Sequence, residues 1–215
     1  DISAANAGDV TDIGSFSGIE NVTGGTGDDT FNIASGATLA GGITGGTGTD
    51  TITQADGTNT WDITGTNSGD VTDIGSFSGI ENVTGGTGAD TFNIASGATL
   101  SGDITGGTGT DTITQADGAN TWDISAANAG DVTDIGSFSG VENVTGGTGA
   151  DTFNIASGAT LSGDITGGTG SDTITQADGA NTWDISAANA GDVTDIGSFS
   201  GIENVTGGTG DDTFN

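Results

Sequence analysis

The chain has 215 residues with 30 acidic side chains, no Lys, Arg or His, and a formal charge of -30. Nucleic acid and anionic membrane surfaces, which need a basic patch, are excluded as partners. The apolar runs of two or three residues are too short for a membrane span or a signal-peptide core, and without cysteine there is no disulfide framework or thiolate metal site.

Large apolar residues are scarce. Between Asp62 and Trp122 fewer than one residue in five is Ile, Val, Leu or Phe, a share below the ~20 % associated with disorder at high charge. The 44 glycines raise the backbone entropy lost on folding. Composition alone predicts an unfolded spacer, so regular order has to come from stacking and a bound cation.

Trp61, Trp122 and Trp183 recur with a period of 61, as do Glu20, Glu81, Glu142 and Glu203. The chain therefore reads as one continuous array of units 2–62, 63–123, 124–184 and a partial 185–215, a window onto a longer repeat. Inside each unit runs a period of about 20, opened by apolar residues such as Ile2, Val22, Ile43, Ile63, Val83 and Ile104. At a fixed distance after each opener stands an aspartate: Asp9, Asp29, Asp50, Asp70, Asp90, Asp111, Asp131, Asp151, Asp172, Asp192 and Asp212. Further apolar positions follow at Val71, Phe92 and Ile113, at Ile74 and Ile94, and at Ile80, Leu100 and Trp122. Three short apolar clusters in each interval, with Gly every few residues and no helical stripe, predict three short strands per coil. The expected fold is all-β: a parallel β-solenoid with about 20 residues per coil and three coils per 61-residue unit. Residues in one register would stack, placing the tryptophans in the core and the eleven aspartates in a single column. Carboxylates ~4.8 Å apart repel by ~3.5 kcal/mol at an effective dielectric of 20, so such a column demands cations.

Seven segments read Gly-Gly-Thr-Gly-x-Asp-Thr-[Phe/Ile]-[Asn/Thr], starting at Gly24, Gly45, Gly85, Gly106, Gly146, Gly167 and Gly207. This pattern resembles the calcium-binding nonapeptide of the RTX, or hemolysin-type, repeat family. Glycine permits positive φ and lets carbonyl oxygens approach an ion, and Asp supplies a carboxylate suited to Ca²⁺. The resemblance implies calcium held between successive turns, by Asp29 with Asp50, Asp90 with Asp111, and Asp151 with Asp172, together with Asp212 and the leading glycines. In the family the nonapeptides run in tandem, whereas here the motif occurs once per coil. The third coil of each unit lacks the Gly pair, so Asp9, Asp70, Asp131 and Asp192 are weaker candidates.

Asp12, Asp73, Asp134 and Asp195, and likewise Asp56, Asp117 and Asp178, read as turn formers. The Asn-Val-Thr sequon at Asn21, Asn82, Asn143 and Asn204 is best explained by chance in a chain resembling bacterial exported repeats. Thr51-Ile52-Thr53 and its copies are similar to the Thr arrays of ice-binding solenoids. Other coils carry Thr/Asn or Val/Asp at the equivalent positions, so no regular two-rank array is expected. The resemblance implies an extracellular, calcium-stiffened structural solenoid, an adhesin stalk or surface fibre that self-associates or continues lengthwise. The alternative is a binding module presenting Thr, Asn and Asp to glycan, mineral or ice. With no His, Cys, Lys or Tyr and every acidic pair repeated, no enzyme is expected.

Overall fold

The computed structural model describes every residue except Asp178, one of the expected turn formers, which lies outside the described residues. Among the described residues the chain is all-β, with 26 strands in two 13-stranded sheets whose inward side chains form one continuous core. Most neighbouring strands are parallel and the sheets do not close into a barrel, which is the expected β-solenoid. Strand Thr91–Ile94 shows the rule that builds it: Phe92 and Ile94 are buried while Thr91 and Asn93 point outward, the two-residue alternation of a strand with one apolar face.

From Ile74–Ser78 to Thr121–Ala126 the chain crosses between the sheets at each turn. Strands Asn82–Thr87 and Leu100–Thr108 lie in one sheet, and Thr91–Ile94 and Thr112–Gln115 in the other. Val83 pairs with Ile52 on one side and Ile104 on the other, and Phe92 with Trp61 and Ile113. These stacked neighbours alternate between sequence separations of 31 and 21, the same two that recur in the hydrogen bonds joining successive turns. A uniform coil would keep a single separation throughout.

The extra residues go into a departure from the expected third coil. Strands Thr60–Gly65, Ser68–Val71 and Ile74–Ser78 stay in one sheet, with the middle strand antiparallel to both neighbours. Asn67 (φ 50°) and Asp73 (φ 69°) make the two reversals, left-handed positions that Asn and Asp tolerate better than other side chains. Asp12, Asp134 and Asp195 repeat the second of them, as turn formers should. The fold-back is pinned by two bonds to Thr72: its Oγ1 accepts the Thr60 N–H at 2.8 Å and its carbonyl accepts the Gln54 side-chain N–H at 2.9 Å.

The tryptophans are fully buried, as expected. Their column differs from the expected one with Ile80 and Leu100: Trp61 stacks on Phe92 at 5.8 Å between centroids and meets Phe77 edge-on at 6.1 Å.

Each unit thus crosses the core five times. An odd number of crossings starts the next unit on the opposite sheet, so Thr60–Gly65 and its equivalent Thr121–Ala126 occupy different sheets, and Thr182–Ala187 returns to the first. Successive units are related by a half-turn about the long axis, and the translational repeat is two units.

Candidate functional site: the aspartate columns at the coil edges

The sheet-to-sheet turns place the motif aspartates at the edges of the solenoid. The eleven aspartates do not form one column. Asp9, Asp70, Asp131 and Asp192 lie instead on the antiparallel middle strands, exposed on the sheet faces. Asp70, Asp131 and Asp192 there pair across the ladder with Asp62, Asp123 and Asp184.

The others form short columns, one per unit, on alternating edges. In the central column the Asn59 N–H donates to Asp90 Oδ1 at 2.7 Å, the Asp90 N–H to Asp111 Oδ1 at 2.7 Å, and the Asp111 N–H to Glu142 Oε2 at 2.8 Å. Asn120, Asp151, Asp172 and Glu203 repeat this on the other edge at 2.7, 2.8 and 2.8 Å. Asp29, Asp50 and Glu81 form a third column, with both bonds 2.8 Å, and Asn181 with Asp212 begins a fourth at 3.0 Å. Each carboxylate satisfies a backbone donor that the turn would otherwise leave unpaired. The expected pairs Asp29/Asp50, Asp90/Asp111 and Asp151/Asp172 are therefore neighbours, joined through one side chain and one backbone N–H.

Glycine makes the approach possible. A Cβ on Gly85 would collide with Asp90 Oδ2 and with the carbonyl oxygen of Gly106; Gly24, Gly45, Gly106, Gly146 and Gly167 stand in the same relation to their own aspartates and the next coil's carbonyl, and Gly207 to Asp212. Gly86 follows at φ 101°, the left-handed region that requires a second glycine.

Two oxygen acceptors border each of these spaces. Oδ2 of Asp29, Asp50, Asp90, Asp111, Asp151 and Asp172 is buried and without a hydrogen-bond partner. At the head of three of the four columns an asparagine solves the same problem differently: Asn59 Nδ2 donates to the Gly85 carbonyl at 3.1 Å, Asn120 to Gly146 at 3.1 Å and Asn181 to Gly207 at 2.9 Å. Where Asp replaces Asn, the carbonyl meets an acceptor instead of a donor. A proton or a cation shared between the two oxygens would relieve that arrangement. Burial accordingly pushes Asp90, Asp111 and Asp151 above the usual carboxylate range, against the lowering effect of the backbone N–H bond each accepts.

The foot of the column needs neither. Glu142 Oε2 accepts from Asp111 and its Oε1 from the Asn128 side chain at 2.8 Å, and Glu81 is held by Asn67 in the same way. Asn128 and Asn67 are the left-handed residues of the fold-back. The column glutamates and asparagines escape the nonapeptide pattern because they lie in turns without the glycine pair. Their recurrence once per unit was the one signal that could have found them.

The donor set fits calcium in kind: an unpartnered carboxylate oxygen and a backbone carbonyl oxygen border each space. Among the described residues no three carboxylates converge, so backbone carbonyls would have to complete the shell. Comparisons with family models, curated proteins and solved structures return no match.

Proposed function

We propose that the chain is a segment of an extracellular structural β-solenoid, a stalk or surface fibre, whose edge columns are stiffened by calcium. The observation that carries this reading is that core, fold-back and edge column are rebuilt identically in each unit. Such an arrangement supplies length and rigidity. Asp90 Oδ2 with the Gly106 carbonyl, and their equivalents, would hold the ion. Calcium would neutralise paired acceptors that the chain, lacking any basic side chain, cannot neutralise itself. The likeness of the seven nonapeptides to RTX repeats supports both the metal and the extracellular setting.

Scattering from chains extended by further units tests the rod. Seven strands enter each sheet per two units, so each added unit should lengthen the particle by ~17 Å at ~4.8 Å per strand. Growth as the cube root of mass would refute it. For the metal, chelation with EGTA should lower the melting temperature and the urea midpoint followed by circular dichroism. Unchanged values, with no calcium detected by mass spectrometry, would remove calcium and leave the rod standing.

A further inference from the structure

The outward sheet faces carry an order that the sequence periods conceal. Thr91, Thr112 and Asn143 are mutual neighbours across the ladder, and so are Asn93, Thr114 and Thr145, with no register shift at either step. Thr145 continues to Thr166 on the next strand. The expectation of no regular two-rank array holds for the sheet as a whole, whose rows mix Thr with Asn and pass to Asp62 on the next strand, but over these three strands two neutral ranks do run side by side. It assumed that the third coil would interrupt the ranks, whereas that segment folds back and leaves Thr112–Gln115 directly between Thr91–Ile94 and Asn143–Thr148.

We propose that this face binds ice. The two ranks form a lattice with ~4.8 Å between strands and ~6.7 Å between alternate residues along a strand. A repeating solid surface can match such a lattice at many points at once, which a small soluble ligand cannot. The chemistry points to a neutral partner. The chain carries -30 overall, yet these six side chains and Thr166 include no charge and each is half-buried among its neighbours; the neutral patch ends at Asp62, whose Oδ1 accepts the Asn93 side-chain N–H at 2.7 Å.

Among the described residues, no side-chain hydrogen bond engages the hydroxyls of Thr91, Thr114, Thr145 or Thr166. Asn143, by contrast, is oriented by Thr112 Oγ1 at 3.4 Å and by the Asp164 N–H at 2.9 Å. Free hydroxyls held at lattice spacing, each beside a methyl group, can anchor ordered water. A polysaccharide would be expected to stack on exposed aromatic rings, and all three tryptophans are fully buried. The half-turn between units places the equivalent patch, Thr152, Asn154, Thr173, Thr175, Asn204 and Thr206, on the opposite sheet.

Slow growth of an ice hemisphere from a solution of the intact chain tests this. The folded chain should enter the ice at least tenfold more than a non-binding globular control. A variant carrying Thr114→Lys, Thr145→Lys, Thr175→Lys and Thr206→Lys should be excluded like the control, with its circular dichroism spectrum and melting temperature unchanged. Ser96→Lys and Ser157→Lys, in exposed turns off the ranks, should leave ice entry intact. Exclusion of the folded wild-type chain would overturn the proposal. So would ice entry by the folded fourfold variant, or capture on cellulose or chitin particles without ice entry.

Discussion

Asp90→Asn isolates the question that the edge column poses. Asp90 Oδ1 accepts the Asn59 N–H at 2.7 Å, a bond that the carbonyl oxygen of an asparagine would keep. The second oxygen has no partner and borders the same space as the Gly106 carbonyl. An asparagine would direct an N–H there, as Asn59 does to the Gly85 carbonyl at 3.1 Å. In chelator at neutral pH the substitution removes an unsatisfied buried acceptor and adds one hydrogen bond, so it should stabilise by ~2 kcal/mol. Asp90→Ala abolishes the acceptor for the buried Asn59 N–H and should cost ~1–3 kcal/mol. Urea unfolding followed by circular dichroism, with midpoints compared at equal slope, measures both. In millimolar calcium the order should invert, because asparagine surrenders the carboxylate that would hold the ion. If Asp90→Asn in EGTA is as damaging as Asp90→Ala, the facing-acceptor account of the column is wrong.

The pH response follows from the same geometry. A carboxyl held above its usual range stabilises the fold below that range and loses the contribution as pH rises through the raised value. With Asp90, Asp111 and Asp151 all raised by burial, the metal-free chain should melt at a higher temperature at pH 5 than at pH 7.5. The triple Asn variant should flatten that dependence, and a wild-type melting temperature that climbs with pH would contradict it. Gly85→Ala drives a methyl group into Asp90 Oδ2 and the Gly106 carbonyl and should cost several kcal/mol by denaturant midpoint. Gly97→Ala meets no neighbouring atom but sits at φ 74° and should cost ~1 kcal/mol; equal losses would argue against close approach at Gly85. Trp122→Ala empties the stack with Phe153 and the edge contact with Phe138, and should lose ~3–5 kcal/mol, with hydrogen exchange accelerated first in the strands beside it.

Sequence carried the fold class and the core because both rest on local alternation. Phe92 and Ile94, or Ile113 and Gln115, take one side of a strand in any sheet arrangement. Stacking order is a non-local property. The aspartate spacing of 20, 21 and 20 suggested three equal coils, and nothing local to residues 60–78 announced that Asn67 and Asp73 would reverse the chain instead of turning a coil. That single difference moved Asp70 from the edge to the face and brought Glu81 into the column. The leading glycines were legible as sites of close approach. Their partners Asn59 and Glu142 were not, since a hydrogen bond between turns so distant in the chain leaves no mark on either one. The sequon residues illustrate the same limit: Asn82 Oδ1 is committed to the Asp103 N–H at 2.9 Å, a ladder role invisible in an Asn-Val-Thr tripeptide.

The half-turn between units also has a mechanical result. Each unit is lopsided, since its antiparallel fold-back adds two strands to one sheet and none to the other. Were every fold-back on the same side, the excess would accumulate and the array would bow into an arc. Five crossings per unit hand the excess to opposite sheets in turn, so the bending tendency of one unit is cancelled by the next. The straightness of the array is set by the parity of a small integer, and a unit with four or six crossings would curl.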